Sequence, residues 1–300
     1  MEESPAITKA DSYRLIGLSS ANQQVKIVTV RSVDEQEKSK LDVAAKNVRD
    51  FGTSQSLYLM YRKNHDEILS FWKKTQTEYR RSQRCDDALA YDICVDITRH
   101  LMNLLTTYRA FVDHWKTKLK RRSRKTGDTK YFDKLEALIA DCKKVSFPFA
   151  FFWEFRNYVQ HVGLPAFGLH FSSNLTSGSE PGVFHRSEIY LSRDALLQSY
   201  DWDKAEGLLR KQRNELDVIA CLESVIPSME QLAIICIESG LEVVQPSLAL
   251  LTGVISEVEQ KIPGATPAIV YYEPGSSPSL KAQITHFPLH LMNLLRPPWK

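Results

Sequence analysis

Apolar residues recur at helical spacing through most of the first half of the chain. From Val33 to about Arg81 they return every three or four positions, interrupted at Gly52, which predicts one long helix or two in series. A second apolar stripe, between Asp86 and Arg122, keeps the same period. It predicts a helix long enough for a bundle.

Two shorter helices follow in the pattern. The first is predicted over about Thr129 to Lys144. The second covers the apolar run "FAFFWEFRNYVQHV", which is bracketed by residues typical of helix starts and stops: Ser146, Pro148, Gly163 and Pro165. Four helices in succession predict a mainly α fold built around a helical bundle.

Alternating and turn-rich segments predict short β appendages to this bundle. They divide the chain into an N-terminal β-hairpin segment (1–32), a helical domain (33–262) with an inserted β-hairpin (about 166–193), and a proline-rich C-terminal tail with one short strand (263–300). Within the helical domain, Pro227 and Pro246 are expected to break the last helices.

Composition narrows the class of protein. Of the 300 residues, 43% are apolar and 25% are charged, as in soluble globular proteins and unlike disordered chains. The start "MEESPAITKADSYR" lacks the features of an export signal, and the five cysteines form no C-x-x-C pair. The sequence predicts a soluble, cytoplasmic protein with no membrane partner, no cofactor and no metal site.

The fourth helix carries an unusual polar group. On an ideal helix, Phe151, Phe155, Tyr158 and Val162 form one stripe, which is expected to face the bundle core. The opposite arc holds Trp153, Arg156, Asn157, Gln160 and His161. An exposed tryptophan in this company is typical of a subunit interface or a cleft. Asn157 and His161 stand at i, i+4, so the amide is expected to orient the imidazole.

The segment "FRNYVQHVGLP" and the long helices before it resemble the HEPN-domain ribonucleases, whose signature is R-x4-6-H. Here Arg156 and His161 match the signature, and Asn157 follows the arginine directly. The resemblance is good from about Val33 to Pro165, loose as far as about Lys261, and weak at both ends. It implies a HEPN-like bundle.

The resemblance also implies a chemistry. HEPN enzymes cut RNA without a metal, in a cleft between two HEPN units, with the ribose 2′-OH as nucleophile. In this chain His161 would take the hydroxyl proton, Arg156 would stabilise the charge on phosphorus, and Asn157 would orient His161. The implied role is an endoribonuclease acting as a toxin or anti-phage defence effector, with RNA, a second copy and an antitoxin or regulatory partner.

One departure from the family pattern limits that inference. Many toxins of the family carry a tyrosine two residues after the histidine, where nucleotide transfer silences them, and this chain has Gly163 there. Regulation by tyrosine modification is therefore not expected. The alternative hypothesis is a non-catalytic dimeric HEPN-like module that binds RNA, a nucleotide or a protein partner.

A second R-x4-H pair, Arg109 and His114, lies on the second predicted helix in "YRAFVDHW". Ala110 replaces the polar neighbour, and Arg109 stands at i, i+4 from Asp113, which favours an ion pair within the helix. The structural role is the preferred interpretation. The alternative is that this pair borders the cleft and contacts RNA.

A basic run ends the same helix. It comprises Lys116, Lys118, Lys120, Arg121, Arg122, Arg124 and Lys125. Cations favour the negative end of a helix dipole, so the run could be a solvated face. It could equally contact RNA phosphates. The net charge of the whole chain, +3, does not decide between these roles.

Overall fold

The computed structural model describes residues 13–21, 24–82, 86–176, 182–272 and 282–294. These residues form a mainly α protein with short antiparallel β appendages, as the sequence predicts. The chain separates into two compact units, a terminal unit (Met1–Thr53 with Gly240–Lys300) and a central unit (Ser54–Ser239).

The terminal unit is built on a four-stranded antiparallel sheet. Its strands are β1 (Tyr13–Ala21), β2 (Gln24–Val33), β6 (Thr266–Tyr272) and β7 (Ala282–His286), in the order β2-β1-β6-β7. The predicted N-terminal hairpin and the strand "AIVYY" of the predicted tail are therefore neighbours, joined where β1 pairs with β6.

The helices of the terminal unit pack closely at two glycines. This unit holds the first part of α1 (Glu35–Ser82), the second part of α7 (Val218–Lys261) and α8 (Leu289–Leu294). A Cβ on Gly52 would lie 2.7 Å from the Leu291 side chain, and one on Gly240 would overlap the Phe51 ring. α1 is continuous through Gly52, so of the two predicted alternatives the single long helix is confirmed, and the glycine makes room for α8.

The central unit contains the predicted bundle helices. They are α2 (Asp87–Thr126), α3 (Lys130–Val145) and α4 (Phe147–His161), together with the second part of α1 and the first part of α7. Asp86 caps α2 by accepting a hydrogen bond from the Leu89 amide, and Gly127 ends it at φ 76°. The predicted helix, about Asp86 to Arg122, starts close to the observed start of α2 and stops four residues before its end.

A small sheet and short helices complete the central unit. The sheet consists of β3 (Phe167–Thr176), β4 (Gly182–Ser192) and β5 (Glu215–Asp217). Between β4 and β5 lie α5 (Arg193–Ser199), a 3-10 helix (Asp203–Ala205) and α6 (Glu206–Leu209). The 3-10 helix packs against both α3 and α4.

The last long helix differs from its prediction. α7 runs without interruption through Pro227 and Pro246, where breaks were expected. A proline removes one backbone hydrogen bond, and burial of the helix on either side of each proline compensates for that loss. In the part of the chain described, α7 alone is long and apolar enough to cross a membrane. Core helices of soluble proteins also have this composition, and the structure is compatible with a soluble protein.

Candidate functional site

The aromatic side of α4 forms the core of the central unit. Phe151, Phe155 and Tyr158 are almost completely buried and stack in parallel on Trp202, with ring centroids 5.4, 6.4 and 5.5 Å from its own. The predicted core stripe is confirmed for these three residues. It is wrong for Val162, which is 45% exposed because the helix ends one residue earlier.

The polar side of α4 holds the three residues of the candidate site. Arg156 and Asn157 are half-buried, and His161 is exposed at the last position of the helix. Ser146 caps the start of α4 by accepting a hydrogen bond from the Phe149 amide, and the chain turns away after His161 through Gly163 at φ 126°. The histidine therefore lies where the helix gives way to a turn.

Trp153 does not share this exposure, so the prediction of an exposed tryptophan is wrong. Its side chain is only 7% exposed, and its ring packs on Tyr108 of α2 and on Phe149, with centroids 6.3 and 6.0 Å away. The reason is that α2 and α3 both pack against α4, so the helix buries a second face besides its aromatic stripe. The pattern of α4 alone could not show this second face.

Two cations lie over the buried indole. The guanidinium carbon of Arg109 is 4.0 Å from the centroid of the Trp153 ring, and the Lys143 Nζ is 3.7 Å from it. Arg109 also donates from Nε to the Asp113 carboxylate over 2.9 Å, which confirms the predicted ion pair. The guanidinium of Arg109 thus contacts both a carboxylate on its own helix and an aromatic ring on α4.

Lys143, at the end of α3, has a perturbed pKa. Burial is the main cause that lowers the pKa of its ammonium to about 8; Glu154 opposes the shift, and the nearby charges of Arg109, Lys116 and Lys204 contribute to it. No pattern in the sequence singles out this residue, because paired lysines at the end of a helix are common. Only the packing of α2 and α4 beside α3 makes Lys143 unusual.

Asn157 has a partner that the sequence analysis missed. Its amide donates to the Glu154 carboxylate over 3.1 Å, one turn earlier on α4. The expected hydrogen bond to His161 is not present among the described residues, so the prediction that Asn157 orients the imidazole is not supported. A carboxylate is a stronger acceptor than a neutral ring, and Glu154 stands at a spacing from which it can compete.

The two side chains of the second R-x4-H pair, both on α2, contact different neighbouring helices. Arg109 contacts α4, whereas the His114 Nε2 lies 3.1 Å from the Ser54 Oγ on α1. Burial and the charge of Lys118 lower the pKa of His114 below its ordinary value. The two side chains do not converge on a common site.

The basic run is split between bonded and exposed cations. Lys116 pairs with Glu136 at 2.9 Å, Lys118 donates to Ser54, and Arg122 donates to the Ser239 backbone and hydroxyl oxygens. The remaining four are exposed: Lys120, Arg121, Arg124 and Lys125. The first group stabilises the bundle, and the second group is accessible to a polyanion.

Within the described ranges, no group of three or more His, Cys, Asp or Glu side chains is arranged to hold a metal ion. The structure does bring Arg109 and Lys143 over Trp153 of α4, and it joins Asn157 to Glu154. Trp153, Glu154 and Asn157 lie within one turn of Arg156 on that helix. Such a set can bind an anion through its cations. The exposed imidazole nearby can transfer a proton.

No family model matches this sequence, and no curated protein or solved structure is significantly similar to it. The likeness to HEPN ribonucleases therefore depends on the residues of α4 and on the mainly α fold around them.

Proposed function

We propose that the protein is an endoribonuclease that cuts RNA at Arg156 and His161. One observation supports this most. α4 buries an aromatic face, and its second buried face holds Trp153, yet Arg156 is only half-buried and His161 is exposed at the helix end. No described residue forms an ion pair with Arg156 or a hydrogen bond with the His161 ring. Both side chains are accessible to a substrate.

The proposed reaction needs a base and a cation. His161 accepts the proton of a ribose 2′-OH, and the 2′-oxygen attacks the adjacent phosphorus. The bond from phosphorus to the 5′-oxygen breaks, and that oxygen takes up a proton from water. Arg156 donates to the phosphate oxygens as charge develops on them. The products are a 2′,3′-cyclic phosphate and a 5′-hydroxyl.

The active form in this proposal is a cytoplasmic homodimer, in which the two sets of Arg156, Asn157 and His161 face one cleft. The exposed position of His161 at the end of α4 is consistent with such a shared surface. A toxin or anti-phage effector of this kind would be controlled by an antitoxin or another regulatory partner. Neither role requires a cofactor.

The test is cleavage of total RNA by the purified protein in the presence of EDTA. We expect cleavage to persist in EDTA, to leave 2′,3′-cyclic phosphate ends, and to fall at least about 100-fold in Arg156→Ala. Gln160→Ala is the matched control, since Gln160 is exposed on the same polar side of α4. Cleavage that requires Mg²⁺, or that a monomeric protein performs at full rate, would contradict the proposal.

A non-catalytic RNA-binding module is the second candidate. It is favoured by the bond between Asn157 and Glu154, because Asn157 is then not available to orient His161. This candidate predicts RNA binding without cleavage under any condition. The same assay, run beside a binding measurement, separates the two functions.

A further inference from the structure

Lys143 lies at a junction of four elements in the central unit. It comes from the end of α3, and its ammonium sits 3.7 Å over the Trp153 ring of α4. Arg109 of α2 lies over the same ring at 4.0 Å. The 3-10 helix that carries Lys204 packs against both α3 and α4. The junction therefore gathers cations around one buried aromatic side chain.

Positive charges outnumber negative charges around Lys143. Three cations and one carboxylate act on Lys143: Arg109, Lys116, Lys204 and Glu154. Arg109 is already paired with Asp113, and Lys116 with Glu136. No ion pair engages Lys143 or Lys204 within the described ranges. These two ammonium groups are therefore without a carboxylate partner there.

Such an arrangement is electrostatically costly without a ligand. Placing two cations over one ring brings like charges together, and partial burial removes water from Lys143. The indole face offsets part of this cost. An anion bound at Lys143, within the electrostatic reach of Lys204, would offset the rest.

The junction also adjoins the proposed catalytic residues. Arg156 and Asn157 follow Trp153 by three and four positions, so they lie about one turn further along the same side of α4. Glu154 is shared, because it accepts the hydrogen bond of Asn157 and attracts Lys143. With its carboxylate engaged by Asn157, Glu154 opposes an incoming anion less strongly than a free carboxylate would.

We propose that Lys143 and Lys204 form a phosphate-binding subsite for the RNA backbone, beside Arg156 and His161. This inference depends on the proposed function, since it assigns the subsite to the same RNA strand. Trp153 is the floor of the subsite and holds the Lys143 ammonium in place. The bound group is a phosphodiester next to the one that is cut, and its contact raises affinity and leaves the chemistry to His161.

The test uses a 2′-O-methyl RNA oligonucleotide, which has no nucleophile and therefore reports binding without cleavage. We expect Lys143→Gln and Lys204→Gln each to weaken binding about 10-fold and to reduce the salt slope by about 0.7, the value for one phosphate on a single strand. Lys144→Gln is the matched control, because Lys144 is the next residue on α3 and is exposed. Unchanged affinity in both variants would overturn the subsite.

A pH series separates a direct contact from a structural role. With its pKa at about 8, Lys143 carries its charge below that pH and loses it above, so wild-type affinity should fall between pH 7 and 9. The charged groups facing it are Arg109 and Lys116 of α2, Glu154 of α4 and Lys204, types that ordinarily titrate outside this range. Lys143→Arg should bind as well as wild type at pH 7 and lose the pH dependence. A wild-type fall that persists in Lys143→Arg would contradict the assignment.

The outcomes distinguish this inference from the proposed function. A wild-type protein that binds the oligonucleotide through Lys143 but cuts no unmethylated RNA would contradict the nuclease and support the subsite. If the wild-type protein cuts RNA normally while Lys143→Gln and Lys204→Gln bind like wild type, the result would support the nuclease and contradict the subsite. An effect of both lysines seen only with a 5′-phosphorylated oligonucleotide would overturn the assignment to the RNA backbone.

Discussion

The central unit contains two R-x4-H pairs with identical spacing and different surroundings. On α2, Arg109 is held between Asp113 and the Trp153 ring, and His114 lies against Ser54 of α1. On α4, Arg156 is half-buried and His161 is exposed, and no described residue pairs with either side chain. Both pairs combine a half-buried arginine with an exposed histidine, and they differ in that described neighbours engage only the first pair.

The difference shows that a motif's position decides its role. Arg109 and His114 stand in the middle of a 40-residue helix whose buried stripe includes Tyr108, Phe111 and Trp115. Neighbouring helices on both sides therefore use their polar atoms. His161 is the last residue of α4 and precedes a turn, and no described residue forms a hydrogen bond with its ring. In our proposal this second setting is the one that acts on a substrate.

The largest expected effect contrasts the two histidines. His161→Ala should reduce RNA cleavage by on the order of 100-fold or more, because it removes the proposed proton acceptor. His114→Ala should leave a readily measurable cut. Both variants are compared with wild type by initial rates on one RNA substrate, after circular dichroism has verified their folding. A folded His114→Ala protein without activity would move the active site to α2.

The basic run tests whether α2 contacts RNA elsewhere. Reversing the exposed charges of Lys120, Arg121, Arg124 and Lys125 to glutamate should weaken RNA binding at least about 10-fold and flatten its dependence on salt. The rate at saturating RNA should change little, since none of these residues supplies a base. If the salt slope of binding stays at its wild-type value, these cations are a solvated face.

A stability measurement contrasts the two arginines. Arg109→Ala removes an ion pair and a contact with Trp153, and should lower the free energy of unfolding by about 1 to 2 kcal/mol. Arg156→Ala should change it by less than about 0.5 kcal/mol, the usual range for surface substitutions. Urea denaturation gives both values. Equal losses would show that Arg156 has a structural role as well.

The smallest effect concerns the pH dependence of stability. The pKa of His114 is lowered in the folded state, so the unfolded chain takes up this proton more readily, and stability falls as pH drops below about 6.5. His114→Ala should therefore show a shallower loss of stability between pH 6.5 and 5. His100, whose pKa burial also lowers, is present in both proteins and cancels in the comparison. Parallel curves would contradict a contribution from His114.

Local signals made much of the fold predictable. Ser146 and Gly163, which the sequence indicates as start and stop residues, stand at the two ends of α4, and the Phe151, Phe155 and Tyr158 stripe is buried as its period indicates. Pro227 and Pro246 were expected to break helices, and α7 is continuous at both positions.

The candidate site was only partly predictable. The ion pair of Arg109 with Asp113 follows from spacing on one helix, and the structure confirms it. The burial of Trp153, the partner of Asn157 and the position of Lys143 were missed. Two of these depend on contacts between α2, α3 and α4. The third depends on a competition between two acceptors that spacing alone does not decide.

The sequence by itself determined the helical class, the apolar stripes and the accessible Arg156 and His161, since backbone periodicity and capping act between residues close in the chain. Only the tertiary structure decided which polar groups became part of the packing. It buried Trp153 beneath Arg109 and Lys143, and it placed Arg109 against α4 and His114 against α1. The physical reason is that desolvation and charge depend on what surrounds a side chain in space, and a helix period reports only its own face.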